Sequence, residues 1–468
     1  MEPLFQQTWK AFLRVMELVL ELVDGKLTYT EFQKRLRERL DELGREICQS
    51  VIEATDERLR EERKEREGWV IARRDDDKEF LSPFGVIHYR RTYFKHKKSG
   101  VYRYLADEVV GLGPHERIDP LLRAQLAERA VDMPYAKAGR WSETEAWHVS
   151  GQTVMKAVRK VPTPAEKSRS QEAKRRVSYL FIEADEDHVP KQKGKPRWQP
   201  RLVYVHEGHE EGSADRPRLR NVRYFGGLYQ GRVEELWEEV WRDLDARYDL
   251  EAVEVIFVSG DGASWIRRAC EVIPKTVFVL DRYHANKAIT AAAGADQALH
   301  SALWQALERL DRKAMDNALH EAFQRAETDA RRRQIVKAQR YLHRHWDGIV
   351  AWQRYRGIWP GCSAEAHVSH VYADRMSSRP RAWSRKGVDQ MARLRVFQAN
   401  GGSVVQAYLQ GSIPLALKVS RSWLEQARRS IQQGYALPDE VFDNLPALRG
   451  RRSMLTKALR GLSLGVAI

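Results

Sequence analysis

Three stretches of this chain place a carboxylate where an apolar run gives way to a turn or a helix start. In the first, Tyr179-Leu180-Phe181-Ile182-Glu183-Ala184-Asp185-Glu186-Asp187-His188-Val189, an apolar strand turns abruptly acidic. Strand alternation puts Phe181, Glu183, Asp185 and Asp187 on one face and Leu180, Ile182 and Ala184 on the other. Carboxylates crowded on one face repel by on the order of a few kcal/mol unless a cation or basic partner sits among them. The second, Val255-Ile256-Phe257-Val258-Ser259-Gly260-Asp261-Gly262-Ala263, ends a buried-looking strand at an Asp framed by glycines. Glycines permit a tight turn and leave the carboxylate unshielded, although Asp261 is also suited to capping the helix that follows. The third is Glu365 in Gly361-Cys362-Ser363-Ala364-Glu365-Ala366-His367, in a first helical turn that Ser363 can cap and where the macrodipole favours an acid whatever its role.

Taken together, the acids fall on a first strand, after a fourth, and on the helix after a fifth. That is the arrangement of a two-metal nucleotidyl-transfer site. Mg²⁺ takes oxygen ligands and keeps water, so Asp185, Asp261 and Glu365 from separate elements can hold two such ions, with Mn²⁺ able to substitute. One ion activates a water or 3′-hydroxyl and the other stabilises the leaving oxygen. No Ser-His or Cys-His arrangement competes as a covalent nucleophile.

The elements that must carry these acids read as strands at 177–189, 201–206, 219–225, 253–258 and 276–280, with helices at 233–247 and 263–272. Two antiparallel steps followed by βαβ steps make a mixed five-stranded sheet, the order used by RNase H-like α/β domains and by some other α/β folds. From His284 to Trp359 the pattern is wholly helical, which reads as an all-helical insertion, until Pro360-Gly361 stops it. The expected organisation is a helical N-terminal region (1–70), a β-hairpin region (71–118), a helix-turn-helix (119–162), a core in two parts (175–284 and 361–395) split by the insertion (285–360), and a helical C-terminal region (396–468).

Within the N-terminal region Phe5 to Val23 is amphipathic. A second helix follows, with Thr28 and Glu31 at capping-box spacing and a stripe of Phe32, Leu36, Leu40, Leu43, Ile47 and Val51. Such a helical pair covers a core or dimerises. Aromatic residues either side of the basic turn Lys95-His96-Lys97-Lys98 predict a hairpin over Phe84–Leu105. Helices are expected at 119–131, 134–145 and 152–160, the last two joined by Trp147-His148-Val149-Ser150. Ser150 can cap the third, Val149, Val154 and Val158 can face inward, and Gln152, Thr153, Lys156 and Arg159 are then placed to read a major groove. Three helices with a short turn are also a common structural unit. After the third acid, Arg375, Arg379, Arg381, Arg385, Lys386, Arg393 and Arg395 form a basic stretch suited to DNA or simply to solvent.

Composition agrees with a globular, multidomain chain that binds a polyanion. It has 468 residues, 43% hydrophobic, with 80 Lys and Arg against 65 Asp and Glu, a net +15. No apolar run reaches the roughly 20 residues of a membrane span. Cys48, Cys270 and Cys362 are far apart, which argues against a disulfide framework or zinc ribbon and suits a cytoplasmic, reducing compartment.

Around Asp185, Asp261 and Glu365 the chain resembles the DDE transposases of bacterial insertion sequences, most closely the ISLre group. The matching stretches are Ile182-Glu183-Ala184-Asp185, Val258-Ser259-Gly260-Asp261-Gly262-Ala263, Asp281-Arg282-Tyr283-His284, and the run from Gly361 through Ser377-Ser378-Arg379-Pro380. The acid order and helical insertion also resemble the broader Mutator-like transposases. The resemblance implies that Asp185, Asp261 and Glu365 are the catalytic triad and that double-stranded DNA is the partner, as terminal repeats and as target. It also implies a homo-oligomer that processes two ends together. Two departures stand out: Glu186 follows the first acid, with Glu183 and Asp187 alongside, and Asp281 with His284 replaces a C-x-x-H pattern. His284 then acts near the scissile phosphate or simply packs where the insertion begins, with Asp281 as its companion. A structure-specific metal-dependent nuclease and a non-catalytic transposase-derived DNA-binding protein are the alternatives.

Overall fold

The computed structural model describes residues 2–109, 111–113, 115–142, 147–162, 173–210, 218–378 and 382–410, with Glu425 and Arg429. They divide into two compact units. One takes in Met1–Leu126, Tyr135–Ala157 and the end of the last described helix from Tyr408; the other comprises Ala127–Pro134 and Val158–Ala407. The expected insertion boundaries at 285 and 360 both fall inside the second unit.

In the first unit α1 (Glu2–Val23) packs on α2 (Tyr29–Glu61), and Arg14 bridges them to Glu42 and Glu46. Thr28 and Glu31 form the expected capping box. Strand β1 (Trp69–Ser82) pairs antiparallel with β2 (Gly85–His96), whose other edge takes the two-residue β3 (Tyr102–Arg103). The predicted Phe84–Leu105 hairpin is therefore the minor half of the sheet. Its longer partner, β1, is hidden in the sequence because Arg73-Arg74-Asp75-Asp76-Asp77-Lys78 breaks the apolar alternation, and bulges near Arg73 accommodate the break. Helix α2 lies on the sheet: Asp56 accepts hydrogen bonds from the Thr92 amide (2.8 Å) and hydroxyl (2.6 Å), and Ile52 joins Phe80, Ile87, Tyr89, Ala106 and Leu112 in a small core. Helix α3 (Leu105–Val109) supplies Asp107 to Tyr89 and Arg91.

Three helices follow: α4 (Pro120–Asp132), α5 (Tyr135–Arg140) and α6 (Gly151–Lys160). Ser150 caps α6 by accepting the Thr153 amide (3.2 Å), and Val149, Val154 and Val158 are buried as their spacing predicts. Gly139 makes the close approach of α5 possible, since a Cβ there would lie 2.1 Å from the Val149 carbonyl oxygen. The middle helix, predicted over 134–145, ends at Arg140 and gives way to a turn at Trp141-Ser142, and the remaining predicted positions, 143–145, lie outside the described residues.

The second unit is mixed α/β. Strands β4 (Tyr179–Glu186), β5 (Arg201–His206), β6 (Arg223–Gly227), β7 (Val255–Gly260) and β8 (Thr276–Leu280) form one sheet in the order β6-β5-β4-β7-β8. The β6-β5-β4 steps are antiparallel and the β4-β7-β8 steps parallel, the mixed five-stranded sheet expected from the sequence. Strand β6 begins later than predicted, because Leu219 instead bridges to His209. Helix α7 (Val233–Arg247) covers the sheet through Trp237, whose Nε1 donates to the Trp265 carbonyl (2.7 Å). The predicted 263–272 helix is two short ones, α8 (Ser264–Arg267) and α9 (Ala269–Val272).

The helical segment is α10 (Arg282–Ala293), α11 (Gln297–Glu308), α12 (Arg312–Arg325), α13 (Asp329–Arg344) and α14 (Trp346–Arg354). It shares one hydrophobic core with the sheet, Leu303, Met315, Leu342 and Ile349 being continuous with Val258 and Leu280. Gly348 lets α14 lie directly on β8, where a Cβ would come within 2.7 Å of the Leu280 amide, and Trp352 Nε1 donates to the Leu280 carbonyl (2.8 Å). After it come α15 (Ala364–Val368), a π-helical turn (Ser369–Ala373), α16 (Asp374–Met376), α17 (Arg385–Ala399) and α18 (Val404–Gln410). The C-terminal region beyond Gln410 lies almost wholly outside the described residues.

Candidate metal centre

Because β4, β7 and β8 are parallel, their C-terminal ends share one edge of the sheet, where open α/β sheets bind ligands. Asp185 is the penultimate residue of β4 and is 8% exposed, with Oδ1 accepting from the Glu186 amide (2.8 Å). Asp261 directly follows β7. Its Oδ1 accepts from the Ala263 amide (2.7 Å), and its backbone carbonyl accepts from the Tyr341 hydroxyl (2.6 Å). The flanking glycines are required sterically. A Cβ on Gly260 would sit 2.6 Å from the Ala184 carbonyl oxygen, and Gly262, at φ +84°, would put one 2.3 Å from the His345 ring. After β8, Asp281 caps α10, with Oδ1 accepting from the Tyr283 amide (3.0 Å) and Oδ2 3.0 Å from Nδ1 of His284.

Glu365 reaches the same place from α15 through a clamp that no local sequence pattern marks. Ser363 does not cap α15 with its side chain; its amide and hydroxyl both donate to Glu183 Oε2. The same carboxylate receives the Tyr204 hydroxyl and lies 3.0 Å from His206 Nε2. Burial would push the Glu183 carboxyl upward, but His206, Tyr204 and the Ser363 amide outweigh it and hold it below the ordinary value. Thus α15 is fastened to β4 two residues from Asp185.

The result is a convergence of Asp185, His284 and Glu365, each offering one ligand atom, with these atoms all within 4.8 Å of one another. Asp261 stands outside that trio, although its charge acts on both Asp185 and His284. Burial first, with the Asp261 and Glu365 carboxylates adding to it, pushes the Asp185 carboxyl up to about 7 despite the Glu186 amide and His284. At His284 burial works against the charged ring, but the Asp281 hydrogen bond and the charges of Asp185, Asp281 and Asp261 prevail and raise its pKa. Two carboxylates and an imidazole from three elements, one carboxyl disfavoured in its charged form by its surroundings, suit a divalent cation.

The acids next to Asp185, Glu186 at the end of β4 and Asp187 just after it, have partners of their own. Glu186 accepts from Trp265 Nε1 and from Gln199 (3.0 Å), and Asp187 accepts from the Ser377 hydroxyl (2.7 Å). Of the four crowded carboxylates, Asp185 is the one in the convergent trio.

The DNA-contact expectations divide. Gln152, Lys156 and Arg159 are exposed on α6, while Thr153 is half-buried beside Ser150. Arg375 requires correction. It is 2% exposed, donates from Nε to the Ala130 carbonyl (2.9 Å) and lies over the Trp383 ring, so it serves packing and cannot meet a phosphate. Arg393 and Arg395 are likewise engaged, with Asp389 and Tyr229 and with Asp132 and the Val371 carbonyl. Arg379 and Arg381 lie outside the described residues, and Arg385 and Lys386 are exposed at the start of α17. Among the described residues no helix is long and apolar enough to cross a membrane.

A mixed α/β protein with carboxylates and an imidazole gathered at the ends of its parallel strands is the class defined here. The chain belongs to UPF0236, an uncharacterised protein family whose model matches residues 22–410 and so spans every residue of the cluster. A UPF0236 protein of Caldanaerobacter subterraneus subsp. tengcongensis is 34% identical over 449 residues, 96% of each chain. A second from that organism, whose name joins eleven locus designations, is 34% identical over 463 residues, 98% of this chain and 97% of the relative. A Streptococcus gallolyticus member, named for the vanSb 3′ region, is 25% identical over 377 residues, 79% of this chain and 82% of the relative.

Proposed function

We propose that this chain is a DDE-type DNA transposase of an insertion sequence, related to the ISLre group and built on an RNase H-like core. The observation that carries this reading is the convergence of Asp185 at the end of β4 with Glu365 of α15, while Asp261, outside that cluster at the end of β7, is near enough for its charge to act on Asp185. The strand order β6-β5-β4-β7-β8 and the helices between the second and third acids support it. So does the relative whose single name covers eleven loci of one genome, the expected footprint of a sequence that copies or moves itself.

Asp185, Asp261 and Glu365 would hold Mg²⁺, or Mn²⁺ in its place, and bound ions supply charge neutralisation at the scissile phosphate and a more acidic attacking water or 3′-hydroxyl. The chain's own part is positional. Glu183 fixes Glu365 against β4, Gly260 and Gly262 shape the turn that presents Asp261, and Asp281 orients the His284 ring. Gln152, Thr153, Lys156 and Arg159 on α6, with Arg385, bind the double-stranded terminal repeat or target. Two chains or more act together because two element ends must be cut and joined in one event.

The test uses purified full-length protein, duplex ends recovered by selection from random DNA, and Mg²⁺. Wild type is expected to cleave and join, and Asp185→Ala, Asp261→Ala and Glu365→Ala to bind the ends while losing joining. Unimpaired joining by all three variants overturns the site. Cleavage without joining by wild type points to a nuclease, and binding without chemistry under any divalent ion to a transposase-derived binding protein.

A further inference from the structure

The triad expected from the sequence and the trio that converges in space are not the same set. Asp185 and Glu365 belong to both, but the third convergent group is His284, and Asp261 stands apart with one carboxylate oxygen on the Ala263 amide. We propose that His284 is a direct ligand of the divalent cation at this site, completing a two-carboxylate, one-imidazole set with Asp185 and Glu365, and that Asp281 is the positioning residue that aims its ring.

The geometry of Asp281 and His284 is what this role requires. A metal-bound imidazole has one nitrogen on the ion and the other held by a carboxylate or carbonyl that fixes ring orientation and tautomer. Asp281 Oδ2 lies 3.0 Å from Nδ1, which leaves Nε2 as the nitrogen for the ion. Asp281 is itself rigid: it is 4% exposed, caps α10 through the Tyr283 amide, and donates its own amide to the Gly260 carbonyl (2.9 Å). The spacing of three residues between Asp281 and His284 brings both onto one face of the first turn of α10. A histidine serving only to pack would not need its ligating nitrogen gathered with two carboxylates from β4 and α15.

An imidazole in the set also changes which ion is preferred. Mg²⁺ favours oxygen donors throughout, whereas Mn²⁺ accepts a nitrogen more readily. The site is therefore expected to bind Mn²⁺ more tightly than Mg²⁺, with Asp261 contributing less to this ion than His284 does.

This inference rests on reading the cluster as a metal centre, and its test does not pass through DNA chemistry. Full-length protein is loaded with Mn²⁺ and examined by pulsed electron paramagnetic resonance, which detects the ¹⁴N nucleus of a coordinated imidazole. Wild type is expected to show that coupling and His284→Ala to lose it. Asp281→Asn is expected to weaken Mn²⁺ binding on the order of 10-fold, as does loss of a carboxylate that holds the far nitrogen of a metal-bound histidine, His284→Ala by more, and Asp261→Asn by less than His284→Ala. Thermal melting of each apo variant establishes that it is folded, and His284→Gln replaces His284→Ala if the latter is not. Absence of ¹⁴N coupling in wild type, or its persistence without His284, overturns the proposal. Coupling in a protein that never joins DNA leaves the ligand assignment standing and removes the transposase reading; metal-dependent joining without coupling does the reverse.

Discussion

At the scale of single residues, Glu183 shows how a carboxylate in an acidic run can be wholly structural. It is buried and satisfied by Tyr204, His206 and Ser363, so removing it strands several polar groups at once. Glu183→Ala is expected to cost about 2–4 kcal/mol, the penalty of leaving buried partners unmet, and to release α15 and with it Glu365. Urea unfolding reads the first effect and Mn²⁺ titration the second. Gly262 makes a sharper case, because its positive φ and the His345 ring both exclude a side chain. Gly262→Ala is expected to destabilise by roughly 1–3 kcal/mol through backbone strain and to displace Asp261, so joining should fall further than the unfolding midpoint alone accounts for.

At the scale of elements, the sheet is tied together at the end remote from the metal centre by Glu207. It accepts from Arg175 before β4 (2.7 and 3.0 Å), from Asn221 before β6 (2.8 Å) and from Tyr248 after α7 (3.1 Å). Burial raises its pKa, but these hydrogen bonds and the Arg175 charge outweigh burial and hold it below its ordinary value of 4.5. A depressed carboxylate contributes stability that is complete above the unfolded value and lost as pH falls through the folded one. Glu207→Gln is therefore expected to lose about 1.5–3 kcal/mol at pH 7, and the gap from wild type should narrow below pH 4.5 in denaturant titrations across pH. Helix α6 offers a second test at this scale. Lys156→Ala and Arg159→Ala are each expected to reduce the salt slope of DNA binding by about 1, measured by fluorescence anisotropy, whereas Arg375→Ala should act on stability because its guanidinium is buried.

At the scale of the molecule, a net charge of +15 on a chain with abundant acids means that the sign of its surface is decided locally. If exposed cations hold six phosphates, the slope of log affinity against log salt is about −5, from roughly −0.9 per neutralised phosphate on duplex DNA. A slope near zero would separate this chain from duplex binding altogether. The core continuous from β4 through α14 has a further consequence. Excising residues 285–360 as an insertion should unfold the second unit, because the sheet would lose Leu303, Met315, Leu342 and Ile349 as packing partners, and circular dichroism of the deleted protein tests this.

The sequence by itself determined much of the local order. Short continuous apolar runs placed β5 and β8, and apolar residues at helical spacing placed α7, at their observed bounds, the Thr28–Glu31 box and Ser150 marked two helix starts, and three short motifs marked Asp185, Asp261 and Glu365. These are legible because propensity, capping and period act over a few residues. Strand β1 was not, since its pairing with β2 overrides a charged run that no local rule would make a strand. Only the tertiary structure decided which of the four neighbouring carboxylates from Glu183 to Asp187 joins the convergent trio, that Glu183 clamps Ser363, that Arg375 is buried, and that His284 converges with Asp185 and Glu365 while Asp261 stands aside. Each of these depends on contacts between residues far apart in the chain, and sequence spacing carries no information about where two such elements meet.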